Sequence, residues 1–397
     1  MSAQTFPEMT DPDRPREVLV IASLTSSAYA RGVVEGLGDH VRRSGRWNVQ
    51  LTATCEEDLP SGVFDGIFTA SMTPQIRERL LRFNGPAVSV SSNKNPHPIP
   101  AVLNDNPAIG RLAASHLLDR RLPQLACCGP ATVEFTQQRL NAFEALAHKR
   151  GVPCHRLDGR FQAPGLSQYQ AHETEAADWL STLPLPFGLF VPTDNIAQSI
   201  LRVCRRLKLR VPDDIAVVGV NDDQLVAGVS QPPLTSIALP TQRIGQTAGE
   251  LLDQLMAGHP PPDAPIRFAP LGVRARQSSD RLAIDDPAVV RAYRFIQNHA
   301  HRPILPADVH ADSHVPRRTL ETRFRKHTGR SLGQAILHAH IDRARDLLAN
   351  TDLTLPELAE RSGFRHPENL HAAFRKITGQ TPRAFRNALT QPIDPPR

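Results

Sequence analysis

Short apolar runs followed by amphipathic helical segments alternate through the first two thirds of the chain, and this alternation limits the possible folds more than any other feature. Residues 18–22 form a continuous apolar run of buried-strand length, and 28–43 follow with apolar residues at helical spacing. The same order predicts strands over 62–69, 101–103, 124–128, 188–191 and 215–220, and helices over 74–83, 107–118, 136–149, 196–207 and 241–256. Such alternation is typical of parallel sheets covered on both faces, so we expect a two-lobed α/β domain over residues 17–276.

The length and composition of the chain set further limits. A chain of 397 residues exceeds the usual size of one hydrophobic core, and 40% hydrophobic with 22% charged residues is ordinary for globular domains. No apolar run approaches the roughly 18 residues needed to cross a bilayer, and residues 1–16 lack the apolar centre of a signal peptide. The sequence predicts a cytoplasmic protein with no membrane contact and with flexible tails at 1–16 and 391–397.

The net charge is concentrated at the C-terminal end of the sequence. Residues 285–397 contain 18 Lys and Arg against 12 Asp and Glu, a net charge of +6. This is the formal net charge of the whole chain. Residues 1–284 are therefore formally neutral. A basic module joined to a neutral one indicates a polyanion as the partner of the basic module alone.

The five cysteines give no sign of a metal centre in the sequence. Cys55, Cys127, Cys128, Cys154 and Cys204 lie at none of the spacings typical of metal ligands, and the adjacent pair is badly placed to form a disulfide. The sequence therefore predicts buried or idle thiols, no metal, no cofactor and no catalytic residue.

Charged side chains follow several of the predicted strands. Asp105, Asp194 and Asp222 each come after an apolar strand, and Arg139 lies near the start of another predicted helix. Because ligands bind beyond the carboxyl ends of parallel strands, these groups could together hold neighbouring hydroxyls of a sugar. The alternative for the first of them is purely structural, since either Asp105 or Asn106 could be the N-cap of the helix that follows.

The order of these short motifs resembles the ligand-binding core of the LacI/GalR family. The matching strings are Asp105-Asn106, Arg139-Leu140-Asn141-Ala142-Phe143, Thr193-Asp194, Gly219-Val220-Asn221-Asp222-Asp223 and Pro233-Leu234-Thr235-Ser236-Ile237. That core has a periplasmic-binding-protein-like fold of type I, whose two lobes close on a small effector. The resemblance implies that the cleft is lined by Tyr29, Ser91, Ser92, Asp105, Arg139, Asp194 and Asp222. Thr193 departs from the Asn that usually precedes this aspartate.

LacI/GalR regulators carry their DNA-binding helices ahead of this core, whereas only sixteen residues precede the first predicted domain here. Sixteen residues are too few for a helix-turn-helix, so we expect the DNA-binding part elsewhere in the chain. Residues 277–285 are polar and charged and are predicted as a linker. From Asp286-Pro287 onward the pattern is helical, in short segments broken by Gly and Pro, which predicts an all-α domain over 286–390.

Two segments of this C-terminal region resemble each other at a separation of about 50 residues. Leu320-x3-Phe324-Arg325-Lys326-x-Thr328-Gly329 corresponds to Leu370-x3-Phe374-Arg375-Lys376-x-Thr378-Gly379. Each copy is predicted as a short helix, a turn and a second helix. The second helix covers 317–326 in the first copy and 367–376 in the second. Thr354-x-x-Glu357 predicts a capping box at the start of the second copy. The repeat therefore indicates two helix-turn-helix units.

The second copy also resembles the signature of the AraC family. The matching string is Leu358-Ala359-x3-Gly363-Phe364-x5-Leu370-x3-Phe374-Arg375-Lys376-x-Thr378-Gly379-x-Thr381-Pro382-x2-Phe385-Arg386. In that family two recognition helices enter successive major grooves. The resemblance implies that bases or phosphates contact Arg317, Arg318 and Thr322 in the first helix and Glu368, Asn369 and His371 in the second, with Arg325, Arg375 and Lys376 on phosphate. Pro316 and Ala372 depart from the capping Ser and the longer polar residue usual there.

A LacI/GalR-like core followed by an AraC-like module is an uncommon order, and it resembles the xylose-operon regulators of bacteria. The resemblance implies a transcriptional activator that responds to D-xylose as its monosaccharide effector. It also implies a homodimer bound to double-stranded operator DNA, with RNA polymerase as a further partner of an activator.

Other functions remain open at the level of sequence. An activator or repressor that responds to another monosaccharide or to a non-sugar ligand would carry the same motifs. An enzyme could use three carboxylates in a cleft for acid–base hydrolysis, but no nucleophile motif, phosphate loop or metal-ligand spacing accompanies them. A scaffold without DNA-binding activity would not explain the duplicated helix pair or the uneven charge.

Overall fold

The computed structural model describes residues 14–25, 27–53, 63–92, 99–159, 166–280, 286–351 and 353–389. Most of the tails predicted at 1–16 and 391–397, together with residues 281–285 of the predicted linker, lies outside these ranges. Among the described residues, no helix is long and apolar enough to cross a membrane.

The N-terminal part of the chain alternates strands and helices, as predicted. In chain order the elements are β1 (Arg16–Ile21), α1 (Ala28–Ser44), β2 (Trp47–Thr52), β3 (Gly66–Thr69), α2 (Pro74–Arg82), β4 (Ala87–Ser89), β5 (Val102–Asn104), α3 (Asn106–Leu118), β6 (Leu125–Pro130), α4 (Glu134–Lys149), β7 (Cys154–Gly159), α5 (Leu166–Thr182), β8 (Phe187–Phe190), α6 (Asp194–Arg206), β9 (Ile215–Val220), α7 (Gln224–Val229), β10 (Thr235–Ala238), α8 (Thr241–Met256), β11 (Ile266–Phe268) and β12 (Gly272–Arg274).

The first lobe is built on a parallel sheet with the strand order β2-β1-β3-β4, and β5 and β11 form a separate parallel pair. Val18 and Val20 of β1 pack in the same core as residues of α1 and α8, whereas Leu19 and Ile21 pack on the opposite face with residues of α2. A central strand that is buried on both faces explains the continuous apolar run in the sequence. Helices α1 and α8 meet at Gly36, where a Cβ atom would lie 1.9 Å from the carbonyl oxygen of Gln242.

The second lobe is a six-stranded sheet with the order β12-β10-β9-β8-β6-β7, in which only the pairing of β12 is antiparallel. One face of the sheet packs with α3 and α4, and the other packs with α5 and α6. Helices α3 and α4 are in such close contact at Gly110 that a Cβ atom there would lie 2.0 Å from the carbonyl oxygen of Arg139. The predicted α/β fold class is confirmed.

The second lobe extends beyond residue 276, where the sequence placed its end. Residues Gln277–Ser279 form a short 3-10 turn in which Ser278 and Ser279 are buried. The hydroxyl of Ser278 donates to the carbonyl of Val217 at 2.7 Å and accepts from the backbone N–H of Thr235 at 2.8 Å. The polar residues at 277–279 were predicted as linker, but the structure packs them against the sheet because their hydroxyls satisfy its buried backbone groups.

The C-terminal domain is entirely helical over its described residues. Its elements are α9 (Pro287–His299), α10 (Pro306–Ser313), α11 (Arg317–Thr328), α12 (Leu332–Asn350), α13 (Leu355–Arg361), α14 (Pro367–Thr378) and α15 (Pro382–Leu389). One core includes Leu320 and Phe324 of α11, and a second includes Leu370 and Phe374 of α14. Helix α12 contributes residues to both cores.

The two helix-turn-helix units repeat each other in atomic detail. Gly329 and Gly379 end α11 and α14 with φ angles of 72° and 78°. Each backbone N–H donates at 2.9 Å to the carbonyl of the residue four positions earlier, Arg325 and Arg375 respectively. Glycine adopts this left-handed conformation without steric cost, which explains the Thr-Gly pair in both copies. The predicted capping box is present as well, since the Glu357 carboxylate accepts from the backbone N–H of Thr354 at 2.8 Å. The all-α class with two helix-turn-helix units is confirmed.

Candidate functional site

Side chains of both lobes meet where the chain passes from one lobe to the other. Tyr29 comes from α1 of the first lobe, Asn104 ends β5, and Arg139 and Asp194 come from α4 and α6 of the second lobe. Tyr29 lies beside the side-chain amide of Asn104 and near the guanidinium of Arg139, and Arg139 lies near Asp194. We name these four residues the interlobe cluster. Three of them are sequence-predicted site residues, and the structure brings them together.

Arg139 is held rigidly within this cluster. Its Nε donates to Oδ1 of Asn106 at 2.9 Å, and its Nη1 donates to the carbonyl of Pro192 at 2.6 Å. The guanidinium also lies over the ring of Phe135, 4.8 Å from the ring centre. Burial lowers the pKa of Arg139 to about 10, which still leaves it protonated near neutral pH. The cluster therefore contains a fixed, buried, positively charged group with further N–H donors.

Asp194 is the buried acid of the cluster, with 1% of its surface exposed. One carboxylate oxygen accepts from the hydroxyl of Ser236 at 2.6 Å, and the other accepts from the backbone N–H of Asp223 at 2.8 Å. Burial raises the pKa of Asp194 to about 8, although both hydrogen bonds oppose the shift. The carboxyl group is therefore largely neutral below that pH in the absence of a ligand.

We expect an Asp194→Asn variant to gain stability relative to the unchanged protein as the pH rises from about 4 to about 8. The pKa is raised from 3.8 to about 8, so across this window the folded chain holds a proton that the unfolded chain has already released. Each pH unit within the window costs the unchanged protein on the order of 1.4 kcal/mol, a cost that Asn avoids because it cannot ionise. Thermal unfolding of both full-length proteins across this range measures the difference.

Asp39→Asn is the matched control, because Asp39 lies on α1 with 42% of its side chain exposed. This variant should follow the pH dependence of the unchanged protein. A stability difference between the Asp194→Asn variant and the unchanged protein that stayed constant with pH would contradict the prediction.

Asn104 carries a buried oxygen that has no partner. Only 3% of its surface is exposed, and Oδ1 makes no hydrogen bond within the described structure. The Tyr29 hydroxyl beside it donates to the carbonyl of Val90 at 2.8 Å. A buried acceptor without a donor is costly, and a ligand hydroxyl would satisfy it. Sequence reasoning did not select Asn104 or Phe135, although Asn104 ends an apolar strand, which is the signal that selected its neighbour Asp105.

Asp105 is the N-cap of α3, which was one of its two predicted roles. One carboxylate oxygen accepts from the backbone N–H of Ala108 at 2.9 Å, and the other lies 3.9 Å from the Arg111 guanidinium. Ser91 and Ser92 are half-buried just beyond β4, and the backbone N–H of Ser91 donates to Ser89 at 3.1 Å. The structure thus places Asp105 at the crossover between lobes and the two serines after a strand of the first lobe.

The two adjacent aspartates after β9 face different partners. Asp222 forms ion pairs with Arg276 at 2.6 Å and with Arg274 at 3.5 Å. Asp223 instead forms an ion pair with Arg31 of the first lobe at 2.7 Å. Asn221 and Asp222 have φ angles of 113° and 51°, a strained turn that separates the directions of the two carboxylates. The carboxylate that connects the two lobes is therefore that of Asp223. The predicted site residue Asp222 is instead paired with two arginines of its own lobe.

The second candidate site is the exposed surface of α11 and α14. These helices bury Leu320, Phe324, Leu370 and Phe374, which turns the intervening residues outward. The sequence-predicted DNA contacts that are exposed are Arg317, Arg318, Thr322, Arg325, Glu368, Asn369, Arg375 and Lys376, and His371 is half-buried. We name this set the basic helical surface. Pro316 precedes α11 without a side-chain cap, yet the helix begins at Arg317 as predicted.

The turn of the second helix-turn-helix depends on Gly363, which has a φ angle of 81°. We expect Gly363→Ala to destabilise this unit by about 2–4 kcal/mol, because an alanine there is strained and crowded. Its Cβ atom would lie 2.6 Å from Nε2 of His340 and 2.9 Å from the carbonyl of Arg302. Hydrogen exchange of peptides from α13 and α14 in the full-length chain measures the local loss of protection.

Gly333→Ala serves as the control, because its Cβ atom would meet nothing within 4 Å. This helical substitution should be neutral or slightly stabilising. Equal protection of α13 and α14 in the two variants would show that the turn tolerates a side chain.

Comparison with known proteins assigns a type to each domain. Residues 114–279 match the family model for a periplasmic binding protein-like domain, and residues 311–388 match that for a helix-turn-helix domain. The chain is similar to the xylose operon regulatory proteins of Haemophilus influenzae, with 28% identity over 91% of this chain and 96% of the relative, and of Escherichia coli K12, with 29% identity over 92% and 96%. The chain is a transcription regulator with both of these domains.

A solved structure supports the arrangement of the whole regulator. The structure described as the xylose-binding transcription activator xylR is 27% identical, with a TM-score of 0.60, and the match covers 95% of this chain and 99% of that one. The relatives are regulators rather than enzymes, in agreement with the prediction from the sequence. The basic helical surface is therefore the candidate DNA interface, and the interlobe cluster is the candidate effector site.

Proposed function

We propose that this regulator is a D-xylose-responsive transcriptional activator of a pentose-utilisation operon. The observation that carries the proposal is the similarity to a xylose-binding activator across both domains, at 95% coverage of this chain. It binds double-stranded operator DNA in the cytoplasm as a homodimer and has RNA polymerase as a further partner.

In this proposal the sugar occupies the cleft at the interlobe cluster. Its hydroxyls donate to the unpaired Oδ1 of Asn104 and to a carboxyl oxygen of Asp194, and they accept from the remaining N–H groups of Arg139. The half-exposed ring of Phe135 packs against the apolar face of the sugar.

The other sequence-predicted cleft residues complete the pocket. Tyr29, Ser91 and Ser92 approach the sugar from the first lobe, and Asp105 approaches it from the crossover. Asp222 acts through Arg276, to which it is paired, rather than by touching the sugar.

The switch requires only that the sugar binds one arrangement of the two lobes more tightly than the other. A sugar that contacts groups of both lobes favours an arrangement in which the lobes meet, as they do at the ion pair between Arg31 and Asp223. A coupling of about 1–3 kcal/mol between the sugar and the operator is enough for a useful response.

The test is a thermal-shift series on the full-length protein with D-xylose, L-arabinose, D-ribose and D-glucose, followed by operator binding with and without the stabilising sugar. We expect D-xylose alone to raise the melting temperature and to tighten operator binding about 5- to 150-fold. Stabilisation by a different sugar would reject D-xylose as the effector. Stabilisation by D-xylose without a change in operator binding would reject the proposed switch.

A further inference from the structure

Two cysteines and a glutamate converge at the edge of the second lobe. Ligand atoms of Cys127, Glu144 and Cys154 all lie within 4.8 Å of one another. Cys127 is on β6, Cys154 begins the edge strand β7, and Glu144 is on α4, which covers this face of the sheet. We propose that these three residues form a site for a thiophilic divalent cation, with Zn²⁺ as the matching ion.

The register of the strands creates the cysteine pair. β6 and β7 run parallel, with Leu125 opposite Cys154 and Cys127 opposite Arg156. The two cysteines therefore lie diagonally on the same face of the sheet, because side chains two positions apart on a strand share a face. Adjacent Cys128 points to the opposite face and packs in a different core. The long sequence separation between the ligands explains why no spacing motif reveals them.

A metal ion fits this geometry better than a disulfide does. Diagonal positions on neighbouring strands have Cα atoms about 8 Å apart, given the strand spacing and the rise per residue, whereas a disulfide requires less than about 7 Å. Two thiolates on a tetrahedral Zn²⁺ ion are separated by about 3.8 Å, since each Zn–S bond is about 2.3 Å. Ligand atoms that already lie within 4.8 Å need only small side-chain movements to reach such an ion.

The donor set determines the class of ion. Two sulfur ligands and one carboxylate are typical of Zn²⁺ and other thiophilic ions, whereas Mg²⁺ and Ca²⁺ prefer oxygen donors. Both thiols release their protons to the solvent when the ion binds. Two thiolates, one carboxylate and a divalent ion carry a net charge of −1, and the neighbouring Arg156 guanidinium, which also pairs with Asp158, offsets part of it.

Arg156 is also placed to orient the carboxylate ligand. Its Nη1 donates to the Glu144 carboxylate at 2.6 Å and to Oδ1 of Asn141 at 2.7 Å. Ligating carboxylates are commonly held in this way by outer hydrogen bonds. Glu144 and Cys154 are only half-buried at the sheet edge, so an ion can enter from solvent and keep one coordination position open to water. The site is distinct from the interlobe cluster and does not depend on the proposed effector.

The experiment uses full-length protein freed of metal by a chelator under reducing conditions. Zn²⁺ affinity is measured by competition with a chromogenic chelator, and Co²⁺ is added separately to detect thiolate-to-metal charge-transfer absorption. We expect about one ion per chain and a clear charge-transfer band. Cys154→Ser should weaken Zn²⁺ binding at least about tenfold and reduce the band, whereas Glu144→Gln should weaken binding while retaining the band. Circular dichroism checks that each variant is folded.

Cys128→Ala is the matched control, since it removes a thiol from the opposite face of the same strand, and its Zn²⁺ affinity should equal that of the unchanged protein. The proposal is overturned if Co²⁺ gives no charge-transfer band. It is equally overturned if folded Cys154→Ser binds Zn²⁺ as tightly as the unchanged protein, which would assign the ion to surface histidines.

Discussion

Replacement of Arg139 by Met is expected to weaken D-xylose binding by about 100-fold, or roughly 3 kcal/mol, in the full-length regulator. Met has a similar length but no donors, so it removes the charge-assisted hydrogen bonds that the guanidinium offers to a sugar. It also leaves Oδ1 of Asn106 and the carbonyl of Pro192 without their donor, which should lower stability by about 1–3 kcal/mol. Titration calorimetry with D-xylose measures the first effect, and urea unfolding measures the second.

Two further variants separate a binding effect from a folding effect. Arg150 lies at the end of the same helix and its side chain is exposed. The Arg150→Met protein should therefore bind D-xylose with unchanged affinity. Arg139→Lys keeps the charge but not the planar fork, so it should recover stability better than affinity. Unchanged D-xylose affinity in a folded Arg139→Met protein would remove the interlobe cluster from the effector site.

The second large effect is expected from the double variant Arg325→Ala and Arg375→Ala. The two arginines occupy equivalent positions in the two repeats, and both are exposed on the basic helical surface. Each contact with phosphate contributes about 1.5–3 kcal/mol, so operator affinity should fall at least about 100-fold at low salt. The slope of log affinity against log salt concentration should also decrease by about two, because two fewer counterions are released.

The control removes the same net charge from the α/β domain. Arg42→Ala with Arg82→Ala eliminates two exposed cations that pair with Asp39 and Glu78. Operator affinity and its salt dependence should remain those of the unchanged protein. If both double variants lowered the affinity equally, the effect would come from net charge and not from recognition by α11 and α14. Electrophoretic mobility shifts across a salt series provide the comparison.

The central strands β1, β3, β6, β8 and β9 were predictable from sequence, whereas the edge strands β2 and β7 and the central strand β10 were not. β9 spans Ile215–Val220 as predicted, because a strand buried on both faces must be apolar throughout. β2 and β7 lie at the ends of their sheets and were missed. Val49 and Leu51 of β2 are exposed by 40% and 47%, and β7 contains His, Arg and Asp. A strand with one neighbour can be polar, so its sequence carries no burial pattern.

The C-terminal domain was more predictable than the α/β domain because its signals are local. Capping residues, helix-ending glycines and the repeated Leu-x3-Phe spacing act within a single turn or helix, so their meaning does not depend on distant parts of the chain. The Thr354 and Glu357 capping box is present as predicted, and α11 and α14 begin at the predicted positions.

The contacts within the sites needed the tertiary structure. The sequence indicated that carboxylates follow β9, but it could not separate Asp222 from Asp223, because their directions depend on the backbone of the turn. The unpaired oxygen of Asn104 is likewise a property of its surroundings rather than of its sequence position. Cys127 and Cys154 became neighbours only through the register between two strands.

We expect the ion pair between Arg31 and Asp223 to make sugar exchange in the α/β domain depend on ionic strength, as operator binding by the C-terminal domain does. The pair joins the lobes at 2.7 Å, and Arg31 is 29% exposed whereas Asp223 is 7% exposed, so dissolved ions screen it in part. Screening would let the lobes separate more often and would speed the exchange of sugar between the cleft and the solvent. The same ions compete with the basic helices for phosphate and shorten the time that the protein stays on its promoter. A higher salt concentration would thus speed the exchange of sugar in the cleft while lowering the fraction of operator DNA that is bound.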